Sequence, residues 1–228
     1  MVTVKEDAEK ILSDLARTVP TRIEGKSAIE EMFASGSNHW RQMEWIGFWF
    51  EYFVETELTN GLDASRGPRY GMTEFDLKRN FVWDLKAHPM DKPSLILNDQ
   101  EAVRKCISEN GGLGFIILEG ETEMDLDGNF KRWHDAFKGK TSNYEVQRVA
   151  EGRPSRMRKV AFVPKFALAV FIENESELER ATSTGWLKSF QEGMRNSDGR
   201  PRRAKYMITS TAKIPESYVV ARINIGKL

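Results

Sequence analysis

The sequence predicts a mixed α/β fold (α+β), with a mixed central sheet flanked by helices. Three observations predict it. Apolar residues at helical spacing behind capping signals fill the first sixty positions, and period-two alternation takes over between residues 74 and 88. A capped helix followed by an unbroken apolar run at 113–118 comes next. The chain has 228 residues, enough for one substantial domain. We expect a single domain over 1–228, with a helical part at 1–60, a core at 61–120 and a basic closing part at 121–228.

Thr3-Val-Lys-Glu6 has the pattern of a capping box, and Ala8, Ile11, Leu12, Leu15 and Ala16 continue it as a helix. Ser27-Ala-Ile-Glu30 repeats the pattern for a short second helix ending near Gly36. Ser37 is placed to cap a long third helix that reaches about Leu58 and stops at Asn60-Gly61. Trp40, Trp45, Phe48, Trp49, Phe50, Tyr52 and Phe53 take up most of its circumference, which predicts burial against a sheet or a subunit interface. Glu44, Glu51 and Glu55 share one of its faces, at i, i+7 and i+11. Residues 61–73 read as a Gly/Arg/Pro-containing loop.

Alternation then sets in. Glu74, Asp76 and Lys78 alternate with Phe75 and Leu77; Asp84, Lys86 and His88 alternate with Trp83, Leu85 and Ala87. Residues 78–81, with Arg79-Asn80 near the tip, suit a hairpin connection that lays Asp76 beside Asp84. Leu95-Ile-Leu follows a loop. Asn98 with Glu101 caps a helix to about Glu109, Gly111-Gly112 ends it, and 113–118 reads as a buried strand. Further on, 129–139 predicts a short helix with His134 on its surface. The β-prone stretch 160–172 is interrupted by Pro164, which predicts two short strands or one bent edge strand. Ser176-Glu-Leu-Glu179 caps a helix through about Met194, Asn196-Ser-Asp-Gly199 is a turn, and 206–210 and 218–224 read as closing strands.

The acids carry the chemistry. Two carboxylates side by side repel, and at least one pKa rises unless a cation stands between them. Mg²⁺ removes that cost, taking carboxylate oxygens together with water and substrate phosphate. It lowers the pKa of a bound water and neutralises phosphate charge. Lys86, two residues from Asp84 on the same face, is placed to orient that water or help deprotonate it, or to stabilise a charged transition state. The plainer alternative is a salt-bridged sheet face without catalysis.

Asp76 followed by Asp84-Leu85-Lys86 resembles the motif of the PD-(D/E)XK nuclease superfamily, and in texture its type II restriction endonucleases. Phe75 stands where a proline often precedes the first aspartate. The resemblance implies a restriction-endonuclease-like αβββαβ core: a helix, a three-stranded meander, a second helix and a further strand. Residues from about 38 to 118 supply these parts in order, and beyond 120 the resemblance stops. It also implies that Asp76, Asp84 and Lys86 are catalytic and that Mg²⁺ is held by Asp76, Asp84 and the Leu85 carbonyl. A helix glutamate, Glu51 or Glu44, would join that shell. The implied activity is sequence-specific hydrolysis of double-stranded DNA, leaving 5′-phosphate and 3′-hydroxyl ends. A palindromic target favours a homodimer. A structure-specific repair or recombination nuclease and a non-catalytic DNA-binding module are the competing expectations.

Charge says where DNA would lie. Lys and Arg total 34, as do Asp and Glu, so DNA contact must come from local patches. Residues 131–165 hold ten basic side chains against three acidic ones. Candidate DNA contacts are Arg66 and Arg69 before the acids, His88 beside Lys86, and two Gly-Arg-Pro loops, one with Arg153, Arg156 and Arg158, the other with Arg200, Arg202 and Arg203. Such loops read guanine edges or a narrow minor groove, or grip phosphates alone. For His88 the alternative is a supporting hydrogen bond. One cysteine, Cys106, excludes an intrachain disulfide framework and suits a reducing cytoplasm. No signal-peptide pattern or run of eighteen apolar residues predicts a membrane segment. The absence of a P-loop argues against an ATP-driven restriction subunit on this chain.

Overall fold

Thr3 opens the first helix through a reciprocal cap. Its hydroxyl accepts from the Glu6 N–H at 3.2 Å, and the Glu6 carboxylate accepts from the Thr3 N–H at 2.8 Å, satisfying donors that a helix start leaves open. The computed structural model describes residues 1–141, 143–195 and 199–226. The elements, in chain order, are α1 (Val4–Thr18), β1 (Ile23–Glu24), α2 (Gly25–Ala34), α3 (Trp45–Phe53), α4 (Thr59–Leu62), β2 (Arg69–Tyr70), β3 (Thr73–Glu74), β4 (Leu77–Lys78), β5 (Val82–Pro89), β6 (Leu95–Asp99), α5 (Gln100–Asn110), β7 (Leu113–Met124), α6 (Asn129–Lys138), α7 (Asn143–Ala150), β8 (Lys159–Ile172), α8 (Glu175–Ser183), β9 (Leu187–Phe190), β10 (Lys205–Ile208) and β11 (Val219–Asn224). The turn expected at 196–199 begins at Asn196, outside the described residues.

Six strands form a curled mixed central sheet in the order β1-β8-β7-β5-β4, with β11 also paired to β8. The β5–β7 pair is parallel and the others are antiparallel. A parallel pair needs a crossover, and β6 with α5 supplies it. The alternation in β5 assigns its two faces to two cores. Trp83 and Leu85, with Ile116 and Leu118 of β7, pack against α1, α2 and α3. Phe115, Ile117, Leu168 and Val170 face the other way, onto α5, α8 and a smaller sheet ordered β6-β10-β9. Among the described residues no helix is long and apolar enough to cross a membrane.

Gly114 shows how tightly the first core is closed. A Cβ there would lie 2.0 Å from Trp83 Cε3, and Trp83 is fully buried. Gly114→Ala must displace an indole that has nowhere to go. It is expected to cost about 3 kcal/mol, read as a lowered urea midpoint.

Several elements depart from the sequence expectation. The long third helix is broken into a 3₁₀ turn (Asn38–Arg41), α3, a π-helical stretch (Val54–Leu58) and α4. Trp40 is buried edge-on between Phe33 and Phe137, whereas Trp45 sits under β8, donating to the Lys159 carbonyl at 2.8 Å. Residues five apart on one helix point roughly 140° apart, so the chain breaks to seat both rings. The expected three-stranded meander is cut to two, because β6 leaves β5 and pairs with β10. Helix α2 starts at Gly25 behind Glu24, without the side-chain cap expected from Ser27. Helix α8 is capped by Asn174 and ends at Ser183, and Gly185 (φ 79°) turns the chain into β9. The stretch around Pro164 is one long strand. Pro164 falls between the β1 contacts at 161–162 and the β11 contacts at 166–170, opposite an irregularity at Glu119–Gly120. A residue without an N–H is tolerated at such a gap.

His134 is not on the surface. It is 1% exposed, and its Nε2 faces the Trp40 carbonyl at 2.9 Å. Burial pushes its pKa down to about 4. The unfolded chain takes up that proton near pH 6.5, whereas the folded chain resists until about 4. Stability should therefore fall as pH drops from about 6.5 toward 4, by at most about 3 kcal/mol from this group. Urea midpoints across that range, with the His134 ring followed by NMR, check it.

Candidate active site

The site forms where β4 abandons β5. The two strands pair at Leu77↔Trp83 and Lys78↔Val82. Phe75 then turns to the preceding loop, accepting from Gly67 N at 3.0 Å and donating to the Pro68 carbonyl at 3.1 Å. Beyond Trp83, β5 is held by β7 on one side and open on the other. The N–H and C=O of a strand residue point the same way, and those of Leu85 face the open edge. The Asp76 carboxylate accepts the Leu85 N–H at 2.7 Å, and Lys86 Nζ donates to the Leu85 carbonyl at 3.2 Å. A side chain thus takes the bond a strand neighbour would have taken, and a main-chain oxygen is left facing a notch.

Asp84 and Lys86 project from the same face of β5. Lys86 Nζ is ion-paired with Asp84 Oδ2, and Asn98 Nδ2 donates to Asp84 Oδ1 at 2.6 Å. Asp84 is 1% exposed, and its Oδ2 has no hydrogen bond apart from the ammonium it meets. Glu51 reaches the group from α3. Burial pushes its pKa up to about 7, with Lys86 pulling it down and Asp84 pushing it up. Burial and the neighbouring Asp84 raise Asp76 well above its ordinary value, against Lys86 and the Leu85 N–H. Burial alone would lower Lys86, yet Asp84, Asp76 and Glu51 together hold it above the ordinary lysine range. Three acid side chains thus share one ammonium.

This donor set fits a hard divalent cation. Its groups are oxygens, two of them (Asp84 Oδ2 and the Leu85 carbonyl) meeting only the lysine. Among the described residues no three His, Cys, Asp or Glu side chains already converge as a ligand cage. Mg²⁺ does not need one, since it keeps several waters and takes one or two carboxylates.

The other candidates divide. Glu44 stands at the start of α3, exposed and ion-paired with Lys159, so Glu51 is the helix glutamate that meets the acids. Arg66 lies near the notch but is engaged by Glu55 and, at 3.9 Å, Glu74. Arg69 is exposed and donates to the Gly71 carbonyl at 3.3 Å. His88 is 2% exposed with Nδ1 3.2 Å from Glu119, so it supports the strand pair β5–β7 and does not reach phosphate. Arg158 is likewise buried, near Asp135 at 3.9 Å, and drops out as a DNA contact. Arg153 is exposed and paired with Glu151. Arg156, Arg200, Arg202 and Arg203 are exposed. Arg203 also lies beside Gly71, its Nη1 3.4 Å from where a Cβ would sit, which brings the second Gly-Arg-Pro loop to the flank of the site.

Asn98 is a site residue the sequence reading misplaced. Its spacing to Glu101 predicts a cap for α5, but Asp99 takes that role, accepting from Ala102 N at 3.2 Å. The two adjacent cap-type residues were the available signal: one was spare. No protein-family model, no curated protein and no solved structure matches this chain.

Proposed function

We propose that this chain is a Mg²⁺-dependent endonuclease of the PD-(D/E)XK kind, hydrolysing double-stranded DNA at a fixed sequence as type II restriction enzymes do. The observation that carries the reading is the open edge of β5, where Asp76, Asp84, Glu51 and the Leu85 carbonyl gather around the Lys86 ammonium. The order α3, β4, β5, β6, α5, β7 supports a restriction-endonuclease-like αβββαβ core, with the departure of β6 as its main deviation.

Asp76, Asp84 and the Leu85 carbonyl would hold the ion, with Glu51 as a further oxygen donor. When bound, the ion supplies an acidified water and neutralises charge on the scissile phosphate. Lys86 is ion-paired with Asp84 and donates to the Leu85 carbonyl, the groups that would hold the ion. It is therefore placed to orient the attacking water or help deprotonate it, and to stabilise charge growing on the phosphate oxygens. Asn98 fixes one Asp84 oxygen and leaves the other for the site. Arg66, Arg69 and Arg203 are candidates near the notch for holding the DNA backbone, with Arg200 and Arg202 on the loop of Arg203 and Arg153 and Arg156 on the other basic loop. A palindromic target would bring two copies together as a homodimer.

The test is digestion of a defined plasmid with Mg²⁺, followed by sequencing of the ends. One recurring motif with 5′-phosphate ends supports the restriction reading. Cuts confined to junctions or damaged positions favour the structure-specific nuclease. No Mg²⁺-dependent cutting of any DNA rejects both.

A further inference from the structure

A cleft of about 650 Å³ adjoins the notch, and Glu51 and Asp76 are part of its lining. Helix α3 and the π-helical turn after it present Phe48, Glu51, Tyr52 and Glu55 to this cleft. These residues sit at i, i+3, i+4 and i+7, which is one helix face. A face of that spacing is ordinarily the apolar one; here it is half aromatic, half acidic, and lines open space. The 3₁₀ turn across from it lays His39 flat on Phe48, with ring centroids 4.6 Å apart and planes within 8°. His39 is exposed, so the pair offers an aromatic surface at the cleft instead of closing on itself.

The charge around this surface restricts what it accepts. Glu51, Glu55, Glu74 and Asp76 line the cleft, and Arg66, its counter-charge, is engaged by Glu55 and Glu74. A phosphate would be repelled there and belongs at the notch, beside Lys86. A neutral, flat group would not be repelled. A nucleobase has such a π-face, and the exocyclic amino group of adenine, guanine or cytosine donates to carboxylates.

We propose that the cleft binds a base turned out of the duplex next to the phosphate to be cut, so that DNA in which that base is already unpaired binds more tightly than matched duplex. The proposal rests on the nuclease reading for the reaction and goes beyond it in placing one base of the substrate outside the stack. A base inside a duplex is already stacked and cannot enter a cleft of this kind; it must first leave the helix. Stacking on the exposed face of His39, backed by Phe48, repays that exposure and tolerates any base, since all have a π-face. His39, Phe48 and Tyr52 are then positioning residues for the reacting phosphate.

The test is equilibrium binding, with Ca²⁺ in place of Mg²⁺, of DNA carrying 2-aminopurine at one position. That position is either unpaired or matched in a duplex. The full chain should bind the unpaired probe about tenfold more tightly and quench its fluorescence. His39→Ala should weaken that binding about tenfold, with matched-duplex binding and Tm unchanged, and His39→Phe should restore it. Equal affinity for the two probes, or no effect of His39→Ala, overturns the proposal. Cutting of the same DNAs with Mg²⁺ separates the two readings. Tight binding of the unpaired probe without cutting keeps the cleft and removes the nuclease. Cutting at a fixed duplex sequence with no preference for the unpaired probe keeps the nuclease and removes the cleft.

Discussion

Asp84→Asn and Lys86→Ala are each expected to lower Mg²⁺-dependent DNA cleavage by about 10³-fold or more, while DNA binding holds. Asp84 is the buried hub of the notch: one oxygen faces Lys86 and the other is fixed by Asn98. Asparagine keeps its shape and its contact with Asn98, yet removes the charge. Lys86→Ala removes the ammonium that three acids share, and Lys86→Met removes it while keeping the buried stem. Loss in both lysine variants assigns the effect to charge rather than bulk. The measurement is single-turnover cleavage with enzyme in saturating excess over DNA, with binding followed by anisotropy. Retention of full cutting by Asp84→Asn and Lys86→Ala would reject the site assignment.

Asp7→Ala is expected to destabilise the fold by about 3–5 kcal/mol, the range for breaking a buried charge network. Asp7 is fully buried on α1. It is ion-paired with Arg79, and accepts from Asn80 Nδ2 at 2.6 Å and Trp83 Nε1 at 2.9 Å. These three donors sit at the tip and first residues of the β4–β5 hairpin. Asp7 therefore pins to the first helix the two segments that carry Asp76 and Asp84. Its loss leaves a half-buried guanidinium without its carboxylate and frees the hairpin tip. Urea denaturation reads the loss; a change under 1 kcal/mol would show that Asp7 does not hold the hairpin.

The sequence shows what short-range spacing can carry. Thr3 and Glu6 announce α1, and the alternation from Val82 to His88 announces β5 and puts Asp84 and Lys86 on one face. The hairpin that brings Asp76 to the same edge follows from the short connection at Arg79-Asn80. Longer-range contacts leave no such mark. The Asp7–Arg79 pair and the Asn98–Asp84 bond join residues whose local patterns favour other uses, a helix first turn and a helix cap. Strand β6 has the composition of a sheet strand, but composition does not say which sheet, and its partner β10 lies about a hundred residues away. His134 and Arg158 read as surface groups because buried polar residues become legible only through the partners that satisfy them.

The most direct measurement is a calorimetric titration of Mn²⁺, an ion that takes the same oxygen ligands as Mg²⁺, into the full chain and into Asp76→Asn and Asp84→Asn. The expected result is saturable binding to the unaltered chain that is lost in both variants. Absence of saturable binding, or equal binding by all three proteins, would contradict the gathering of these carboxylates around a divalent ion.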